Sequence, residues 1–386
     1  MSRVLALAIA AVVAGGCTGP ILANPPAQGP AATPVPEPTR RPVRDPQPVR
    51  LPADDAPHDR LTEWWYYTGH LEDGDGGRWG FEYVVFRAER GDFPVSWASH
   101  LALTDETAGR FTYAQRSEVG NQVDRGAGRP DGFSLFLAGS DPGSTAPVGA
   151  EWAMAGNAGT DRLRASAAVD DTQGDRRSIQ LDLLLRATRP PTLHDEDGWI
   201  DFGAAGSSYY YSRTRMEATG SIAVDGRRLS VVGLAWFDHQ WGDFIAVGGS
   251  GWDWFAVNLD DGTDLTLSLV RDRDGTDPLI YGTLVSPDGL VRHLERDAFT
   301  VEVTDRWVSE RSGADYPAGW RIEVPGERLA IDLRPSVPDQ ELDTRETTGV
   351  IYWEGSQVVR ATRDGRPLGG EAYVELTGYG GLDEND

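Results

Sequence analysis

Residues 64–74 read Trp-Trp-Tyr-Tyr-Thr-Gly-His-Leu-Glu-Asp-Gly, and this stretch indicates the fold of the whole chain. Aromatic residues and a β-branched threonine favour an extended strand, and the closing Asp-Gly favours a tight hairpin turn. A second strand-like run, residues 80–87, follows the turn. The stretch therefore predicts an antiparallel hairpin whose first strand is aromatic on both faces.

Residues 252–262, Trp-Asp-Trp-Phe-Ala-Val-Asn-Leu-Asp-Asp-Gly, repeat this pattern, and another strand-like run, residues 264–271, follows them. The 46 glycines and 13 tryptophans of the chain suit tight corners and bulky inward rings. Short β-prone runs alternate with turns after residue 58, and no segment there shows sustained helical periodicity. We therefore predict an all-β protein with few helices, in which two tandem antiparallel β-barrels span residues 58–248 and 249–386.

The N-terminus carries the marks of an export signal. A basic residue precedes the apolar run 4–14 and the small residues before Cys17, so residues 1–17 are a predicted signal peptide, too short to cross a bilayer as a helix. Cys17, the only cysteine, stands where a bacterial lipoprotein carries its lipid; an incidental cysteine after an ordinary signal is the alternative.

Residues 18–57 are rich in proline, alanine and charge, which predicts a disordered tether. We expect an exported protein of the cell envelope, anchored to the membrane by lipid and facing the periplasm or the exterior.

The overall charge and the motif content exclude several classes of function. A formal net charge of −24 argues against nucleic acid and against a generic anionic membrane surface as partners. The six histidines show no HxH or HExxH spacing, so the sequence predicts no metal site. A serine-hydrolase elbow and a glycine-rich nucleotide loop are both missing from the sequence. We expect no cofactor, and the oligomeric state is not indicated.

Residues 236–244, Trp-Phe-Asp-His-Gln-Trp-Gly-Asp-Phe, hold the densest group of candidate catalytic side chains. The apolar run 231–235 predicts a strand that leads into them. Alternation along a strand then divides the side chains between two faces, with Phe237, His239 and Trp241 on one and Trp236, Asp238 and Gln240 on the other. Because this cluster precedes the predicted domain boundary, we expect it at the seam between the barrels, where ligand sites are common.

An imidazole beside an indole suits acid/base chemistry on an apolar ligand. His239 would act as general acid or base, and Trp241 would form a ring wall that stabilises a developing carbocation. Asp243 would orient His239 if Gly242 permits a bend; Asp238, which points to the opposite face, is the alternative orienter. The competing interpretation is structural, because buried strand-end histidines commonly satisfy hydrogen bonds within a core.

Candidate ligand-binding residues also lie on other strands, and they are Glu63, Trp65, Tyr67, His100, Tyr210, Trp252 and Asp253. Core packing is the competing interpretation for the aromatic residues, and a space filled by a neighbouring tryptophan is the competing one for His100. Glu63 would be a buried carboxylate with a raised pKa, able to serve as a second acid. Asp253 points either to a cavity or to an arginine such as Arg87 or Arg271.

Several ordered motifs resemble the carotenoid 1,2-hydratase/AttH-like family over about residues 61–380. The motifs are Glu-Trp-Trp-Tyr-Tyr-Thr-Gly-His-Leu at 63–71, Ser-His-Leu-Ala-Leu-Thr-Asp at 99–105, Ser-Tyr-Tyr-Tyr-Ser at 208–212, Asp-His-Gln-Trp-Gly at 238–242 and Tyr-Val-Glu-Leu-Thr-Gly-Tyr at 373–379. The resemblance implies two lipocalin-like (calycin) barrels packed side by side. It also implies hydration of a terminal alkene in a carotenoid or prenyl chain, with relatives that catalyse cyclisations or are labelled secreted hydrolases.

In these hydratases a histidine and a tryptophan are implicated, and His239 and Trp241 match them. A later tyrosine and aspartate of the hydratases have no secure counterpart, since the equivalent strand reads Leu-Thr-Leu-Ser-Leu at 265–269. The expected function is binding of an apolar or isoprenoid-like small molecule between or within the barrels, with metal-free hydro-lyase (hydratase) or hydrolase chemistry. The alternatives are a non-enzymatic carrier of lipophiles in the cell envelope and a secreted hydrolase.

Overall fold

The computed structural model describes residues 45–138, 152–244, 251–271 and 279–380. In these ranges the chain forms antiparallel strands joined by turns and by single turns of 3₁₀ helix. The 3₁₀ turns lie at Ala53–Asp55, Asn121–Val123, Gly203–Ala205, Arg296–Ala298 and Pro325–Glu327. No helix within the described ranges is long and apolar enough to cross a membrane. The prediction of an all-β protein is confirmed.

The first sheet contains the strands of the N-terminal half. They are β1 (Thr62–Asp73), β2 (Arg78–Ala88), β3 (Ser96–Asp105), β4 (Arg110–Val119), β5 (Phe133–Leu137), β6 (Trp152–Asn157), β7 (Thr160–Asp170), β8 (Arg176–Ala187), β9 (Thr192–Leu193), β10 (Trp199–Asp201), β11 (Ser207–Val224) and β12 (Arg227–Gly242). Their order is β4-β3-β2-β1-β12-β11-β8-β7-β6-β5, and β9 and β10 pair with β11. The sheet curls until β4 contacts β5 and β7, so its concave side encloses a core.

The second sheet contains the strands of the C-terminal half. They are β13 (Gly251–Leu259), β14 (Asp264–Arg271), β15 (Leu279–Val285), β16 (Val291–Leu294), β17 (Thr300–Val308), β18 (Asp315–Val324), β19 (Leu329–Pro335), β20 (Glu341–Asp343), β21 (Ile351–Arg363), β22 (Arg366–Leu368) and β23 (Gly370–Thr377). Their order is β16-β15-β14-β13-β23-β21-β19-β18-β17, and β20 and β22 pair with β21.

The two aromatic repeats occupy equivalent strands. β1 lies between β2 and β12, and β12 is the last strand of the first sheet in chain order. In the same way β13 lies between β14 and β23, the last strand of the second sheet in chain order. Each repeat is thus an interior strand of its sheet, hydrogen-bonded to a neighbouring strand on both edges. Both faces of such a strand are covered, which explains why both are apolar.

Each sheet encloses its own core, and a third layer of side chains joins the sheets back to back. Trp65, Tyr67 and Phe237 lie in the first core, whereas Tyr66, Trp236 and Trp254 pack between the sheets. A close approach of β2 to the second sheet depends on Gly80, since a Cβ there would lie 2.7 Å from the Tyr373 hydroxyl.

The N-terminal segment differs from the predicted tether. Residues 45–57 pack against the first sheet, and Asp55 is fully buried, where it forms a bidentate ion pair with Arg213 at 2.8 and 2.9 Å. The sequence pattern does not predict this contact, because the proline-rich composition of the segment gives no sign that Asp55 is buried. The predicted signal peptide, Cys17 and the part of the tether before residue 45 lie outside the described residues, as does the Gly-rich boundary up to residue 250.

Candidate functional site

The strand β12 presents different chemistry on its two faces, as alternation predicts. Asp238 and Gln240 line a cavity between the sheets, whereas Phe237 and Trp241 belong to the core of the first sheet and His239 is fully buried beside them. The predicted division of side chains is confirmed. The expectation that His239 looks into the seam is not met, because the face that carries His239 is the concave one.

The cavity between the sheets is predominantly aromatic. It contains about 750 Å³ of space free of protein atoms, counted out to the solvent at its mouth. Its lining residues come from both sheets and are Trp64, Tyr66, Glu82, Phe86, Phe202, Tyr210, Asp238, Gln240, Trp252, Trp254, Ser268, Val270, Tyr281, Tyr352 and Glu375. An apolar cleft at a domain interface with a few convergent polar groups is the usual form of a small-molecule site.

Asp238 is one of the carboxyl groups that line this cavity. It accepts hydrogen bonds from the hydroxyl of Tyr210 at 2.6 Å, from the indole of Trp236 at 2.7 Å and from the hydroxyl of Ser212. Burial raises the pKa of Asp238 to about 7, although these three donors favour the carboxylate. Near neutral pH the group is therefore poised between acid and carboxylate.

A buried histidine, His194, is linked to Asp238 through the hydroxyl of Ser212. His194 contacts the Ser212 hydroxyl through Nε2 at 2.6 Å and the Thr283 hydroxyl through Nδ1 at 2.9 Å. Burial lowers the pKa of His194 to about 3, so the ring is neutral and donates through only one nitrogen. Since Thr283 belongs to the second sheet, this chain of hydrogen bonds ties the position of Asp238 to the packing of both sheets.

Three glutamates surround the same seam. Burial raises the pKa of Glu375 to about 7, and the indole of Trp252 opposes this by donating to Glu375 at 3.0 Å. Burial raises the pKa of Glu82 to about 8, where Tyr352 donates at 2.9 Å. Burial and the charges of Glu82 and Glu375 raise the pKa of Glu354 well above its ordinary value, and neither oxygen of Glu354 has a hydrogen-bond partner among the described residues.

The His239 side chain belongs to a second polar cluster, on the concave face of the first sheet. Its Nε2 donates to Oε1 of Glu63 at 2.9 Å, and His58 Nδ1 contacts the same oxygen at 2.8 Å. The ring of His239 lies between Trp65 and Trp241, with centroid distances of 4.7 Å to each. His58 stacks on Trp241 at 4.2 Å with the ring planes 3° apart.

The charges in this cluster differ from the sequence-based expectation. Burial alone would raise the pKa of Glu63, but the charge of His58 and the hydrogen bond from His239 lower it to about 2. The predicted acid with a raised pKa is therefore wrong for Glu63, which is an ionised carboxylate. Burial lowers the pKa of His239 despite its bond to Glu63, so its imidazole is neutral at pH 7.

Asp243 does not orient His239. Its side chain is half exposed and pairs with Arg60 at 2.6 Å. Glu63 is the carboxylate that holds the imidazole, and it comes from the neighbouring strand β1, where it is paired with Trp241. Sequence proximity favours Asp243, whereas strand pairing brings together residues that are far apart in the chain.

The remaining sequence candidates divide between the cavity and other contacts. Tyr210 and Trp252 line the cavity, whereas Trp65 and Tyr67 lie in the first core, with the Tyr67 hydroxyl donating to Asp161 at 2.8 Å. His100 is buried at the seam against the Tyr352 hydroxyl at 2.7 Å, and burial lowers its pKa to about 3.

Asp253 forms an ion pair with Arg271 and accepts a hydrogen bond from Tyr379 at 3.0 Å. Of the two alternatives left open for Asp253, the pairing with an arginine is the one observed, and Asp253 is not among the residues that line the cavity.

The cavity also contains acidic residues that were not singled out from the sequence. Glu82 lies in the predicted strand 80–87 and Glu375 in the motif at 373–379, and a carboxylate within an aromatic, β-prone run is the signal that would identify them. Trp254 and Tyr66 share a face with candidates that the sequence did indicate, but alternation does not show which face borders a second sheet.

The overall structure is similar to known two-sheet proteins. A crystal structure of an AttH protein from Nitrosomonas europaea is 30% identical, with a TM-score of 0.71, and the match covers 86% of this chain and 98% of that chain. Kievitone hydratase from Nectria haematococca is 17% identical, with a TM-score of 0.62, and the match covers 86% of this chain and 93% of that chain. Among curated protein sequences, none matches this chain.

The fold is that of the lipocalin-like, two-domain proteins, as the sequence motifs indicate. A sequence model of the AttH-like family matches residues 42–379, so it includes the ordered N-terminal segment and both sheets. The chain belongs to the AttH-like family.

Proposed function

We propose that this protein hydrates an alkene in an apolar, isoprenoid-like substrate, without a cofactor, in the cavity between the two sheets. The single observation that carries the proposal is the position of Asp238, a carboxyl group with a pKa of about 7 in an aromatic cavity. Hydration of an isolated alkene needs a positioned acid that is protonated at the working pH, and general-acid catalysis is most effective when the pKa lies near that pH.

The walls of the cavity suit a hydrocarbon substrate and a cationic intermediate. Protonation of an alkene leaves a carbocation, which the faces of indole and phenol rings stabilise by about 1–2 kcal/mol in a dry site. Trp64, Tyr66 and Trp254 supply such rings. Tyr66 and Trp254 meet edge to face with centroids 5.4 Å apart, so the two sheets share this wall.

Two carboxyl groups of similar pKa supply the acid and the base. Protonated Asp238 gives its proton to one alkene carbon, and the π electrons form the new C–H bond. A water molecule then adds to the cationic carbon and passes a proton to ionised Glu375, so the product is an alcohol. Asp238 is left ionised and Glu375 protonated, and exchange with solvent restores both. Like groups in one cavity titrate as a set, which favours one proton shared between them.

The similarity to solved structures is compatible with this reaction. Kievitone hydratase has the same fold, and the name of that protein states that it adds water to its substrate. At 17% identity the resemblance concerns the fold, so the case for hydration rests on the cavity and its carboxyl groups.

A test uses the intact protein purified from its own envelope. Native mass spectrometry identifies any co-purifying lipophile, and that compound, lycopene and a prenylated phenol are then incubated with the protein in oxygen-18 water. We expect a product heavier by one labelled water. Asp238→Asn should reduce the rate at least about a hundredfold while the ligand still binds, because the amide keeps the shape but gives no proton.

The matched control is Asp243→Asn, which removes a carboxylate that directly follows the same strand and pairs with Arg60 outside the cavity. This variant should keep its activity. Tight ligand binding without any water addition by the wild type would favour the carrier, and cleavage of an ester or ether would favour the hydrolase. Either result overturns the hydratase.

For the location, we propose a lipoprotein of the cell envelope, held through Cys17. The support is the order of a basic residue, an apolar run and Gly-Gly-Cys at the N-terminus. In cells grown with labelled palmitate, the wild type should carry the label in the membrane fraction and Cys17→Ser should not. A label-free wild type in the soluble fraction would contradict the anchor.

A further inference from the structure

We propose that His58, Glu63 and His239 form a structural site for a divalent metal ion, with Zn²⁺ the ion that its ligands favour. One atom of each residue, Nδ1, Oε1 and Nε2 respectively, is able to bind the ion, and all three atoms lie within 4.8 Å of one another. Two imidazoles and one carboxylate are a ligand set that zinc commonly takes, with a further position left for water.

Two of the three distances between ligand atoms are shorter than a loaded site requires. The two ring nitrogens lie 2.8 and 2.9 Å from Oε1 of Glu63, where N–H groups occupy the space between them. A tetrahedral ion with bonds of about 2.1 Å needs ligand atoms about 3.4 Å apart. Widening these two distances by about half an ångström, with the two N–H protons no longer between the atoms, would therefore admit the ion.

The surrounding residues hold all three ligands in place. The backbone N–H of His58 donates to both carboxylate oxygens of Glu63, to Oε2 at 2.9 Å and to Oε1 at 3.2 Å, and so fixes the orientation of the carboxylate. The two histidine rings are fixed by Trp65 and Trp241, which stack on them. His58 Nε2 faces Asp54 at 3.7 Å, which is the carboxylate–histidine arrangement that commonly supports metal ligands.

One buried atom, Nδ1 of His239, bears on the cost of metal binding. His239 Nδ1 has no hydrogen-bond partner in the described part of the chain, and the residue is fully buried. In the hydrogen-bonded state the proton is on Nε2, and Nδ1 is an unpaired acceptor. Metal binding at Nε2 moves the proton to Nδ1 and exchanges one unpaired buried group for another, so the exchange adds little cost.

The site would fasten the N-terminal segment to the first sheet. His58 directly follows that segment, residues 45–57, whereas Glu63 and His239 lie on the paired strands β1 and β12. The ligand atoms are on the concave side of these strands, and the cavity that contains Asp238 is on the other side. The site is therefore separate from the proposed hydration chemistry.

The test measures metal binding, with no reference to activity. The chelator-treated full-length protein is titrated with Zn²⁺ in a calorimeter, and bound zinc is counted by plasma mass spectrometry after dialysis. We expect about one zinc per chain and a rise in the melting temperature on loading. His58→Ala should weaken the affinity at least about a hundredfold and abolish that rise.

Two further variants keep the outcome decisive. Glu63→Gln keeps the size and one oxygen but removes the charge, and it should also lose the zinc. His293→Ala removes a histidine of the second sheet that lies beside Asp195, and it should bind zinc like the wild type. A folded wild type that takes up no stoichiometric zinc, or a His58→Ala variant that binds as well as the wild type, overturns the metal site and leaves only a hydrogen-bonded cluster.

Discussion

Asp238 and Glu375 occupy equivalent positions in the two sheets and face one cavity. Asp238 is paired in register with Tyr66, and Glu375 is paired in register with Trp254. Tyr66 and Trp254 are the third residues of the two aromatic repeats, 64–74 and 252–262. A repeated architecture thus supplies one carboxyl group and one ring from each half of the chain.

This relationship predicts the effect of removing the second carboxyl group. Glu375→Gln keeps a hydrogen-bond acceptor for Trp252 but cannot take a proton from water. We expect the hydration rate to fall by about 10²–10³, with a smaller change in substrate affinity. The measurement is the initial rate of labelled-water incorporation by Glu375→Gln. Glu371→Gln, at a partly exposed position on the same strand that pairs with Arg78, serves as the control and should behave as the wild type.

The same pair of groups predicts a bell-shaped dependence of rate on pH. As the pH falls below about 7, Glu375 becomes protonated and the base is lost. As the pH rises above about 7, Asp238 becomes ionised and the acid is lost. The maximum should therefore lie near pH 7, with apparent pKa values that belong to the pair. A rate that is flat from pH 5 to about pH 9 would exclude both groups from the reaction.

A substitution of His239 distinguishes a structural role of this residue from the catalytic role that the sequence predicts. His239→Ala removes a fully buried ring from between two indoles and leaves the ionised Glu63 with one partner fewer. We expect a loss of about 2–5 kcal/mol in the free energy of unfolding, measured by urea denaturation. The rate per folded molecule should change less than about threefold, under 1 kcal/mol in activation free energy. A rate that falls a hundredfold in folded protein would return the chemistry to His239.

Much of the fold was predictable from residues 64–74 and 252–262, because alternating aromatic residues and Asp-Gly turns have local physical causes. The division of side chains between the faces of β12 was predictable for the same reason. Alternation does not say which face is concave, and both faces of β12 are buried in this region. Sequence reasoning therefore selected His239, whereas the cavity contains Asp238.

The partners of each candidate were harder to predict than the candidates themselves. Glu63 reaches His239 across a strand pair, and Glu375 reaches the cavity from the far end of the chain. Such contacts depend on register and on the packing of one sheet against the other, and neither leaves a periodic signal. The segment 45–57 shows the same limit, since one buried ion pair orders a stretch whose composition favours disorder.

The buried glutamates predict that stability falls as the pH rises. The pKa of Glu82 is about 8 in the folded protein and near 4.5 in the unfolded chain. Between these values the folded state binds more protons than the unfolded state, so the slope of stability against pH is negative. Each such group contributes up to about 1.4 kcal/mol per pH unit in that window.

The check is a series of urea denaturation curves between about pH 5 and pH 9, a window set by the two pKa values of Glu82. Glu82→Gln should flatten the slope and make the protein more stable than the wild type at the alkaline end. Glu302→Gln is a suitable control, since Glu302 is exposed on β17. A wild-type curve that rises toward alkaline pH would contradict the raised pKa of these groups.

A buried ion-pair cluster predicts how the two sheets are held together. Asp264, at the start of β14, is fully buried and accepts from Arg189 at 2.7 Å, from Arg215 at 2.6 Å and from Thr214 at 2.8 Å, all of them outside its own sheet. Asp264→Asn removes the charge and leaves two arginines without their shared carboxylate. Breaking a buried pair from one side costs about 3–5 kcal/mol, because the remaining charge stays desolvated.

We expect this loss to appear as a change in cooperativity as well as in the midpoint of unfolding. With the link weakened, the sheets should separate before each melts, and calorimetry should resolve two transitions. Asp332→Asn provides the comparison, because Asp332 pairs with Arg321 on an exposed surface where such a pair contributes under about 1 kcal/mol. If Asp264→Asn melted in one transition at the wild-type temperature, the seam would have to be held by the aromatic layer alone, and the positions of Asp238 and Glu375 would not depend on this cluster.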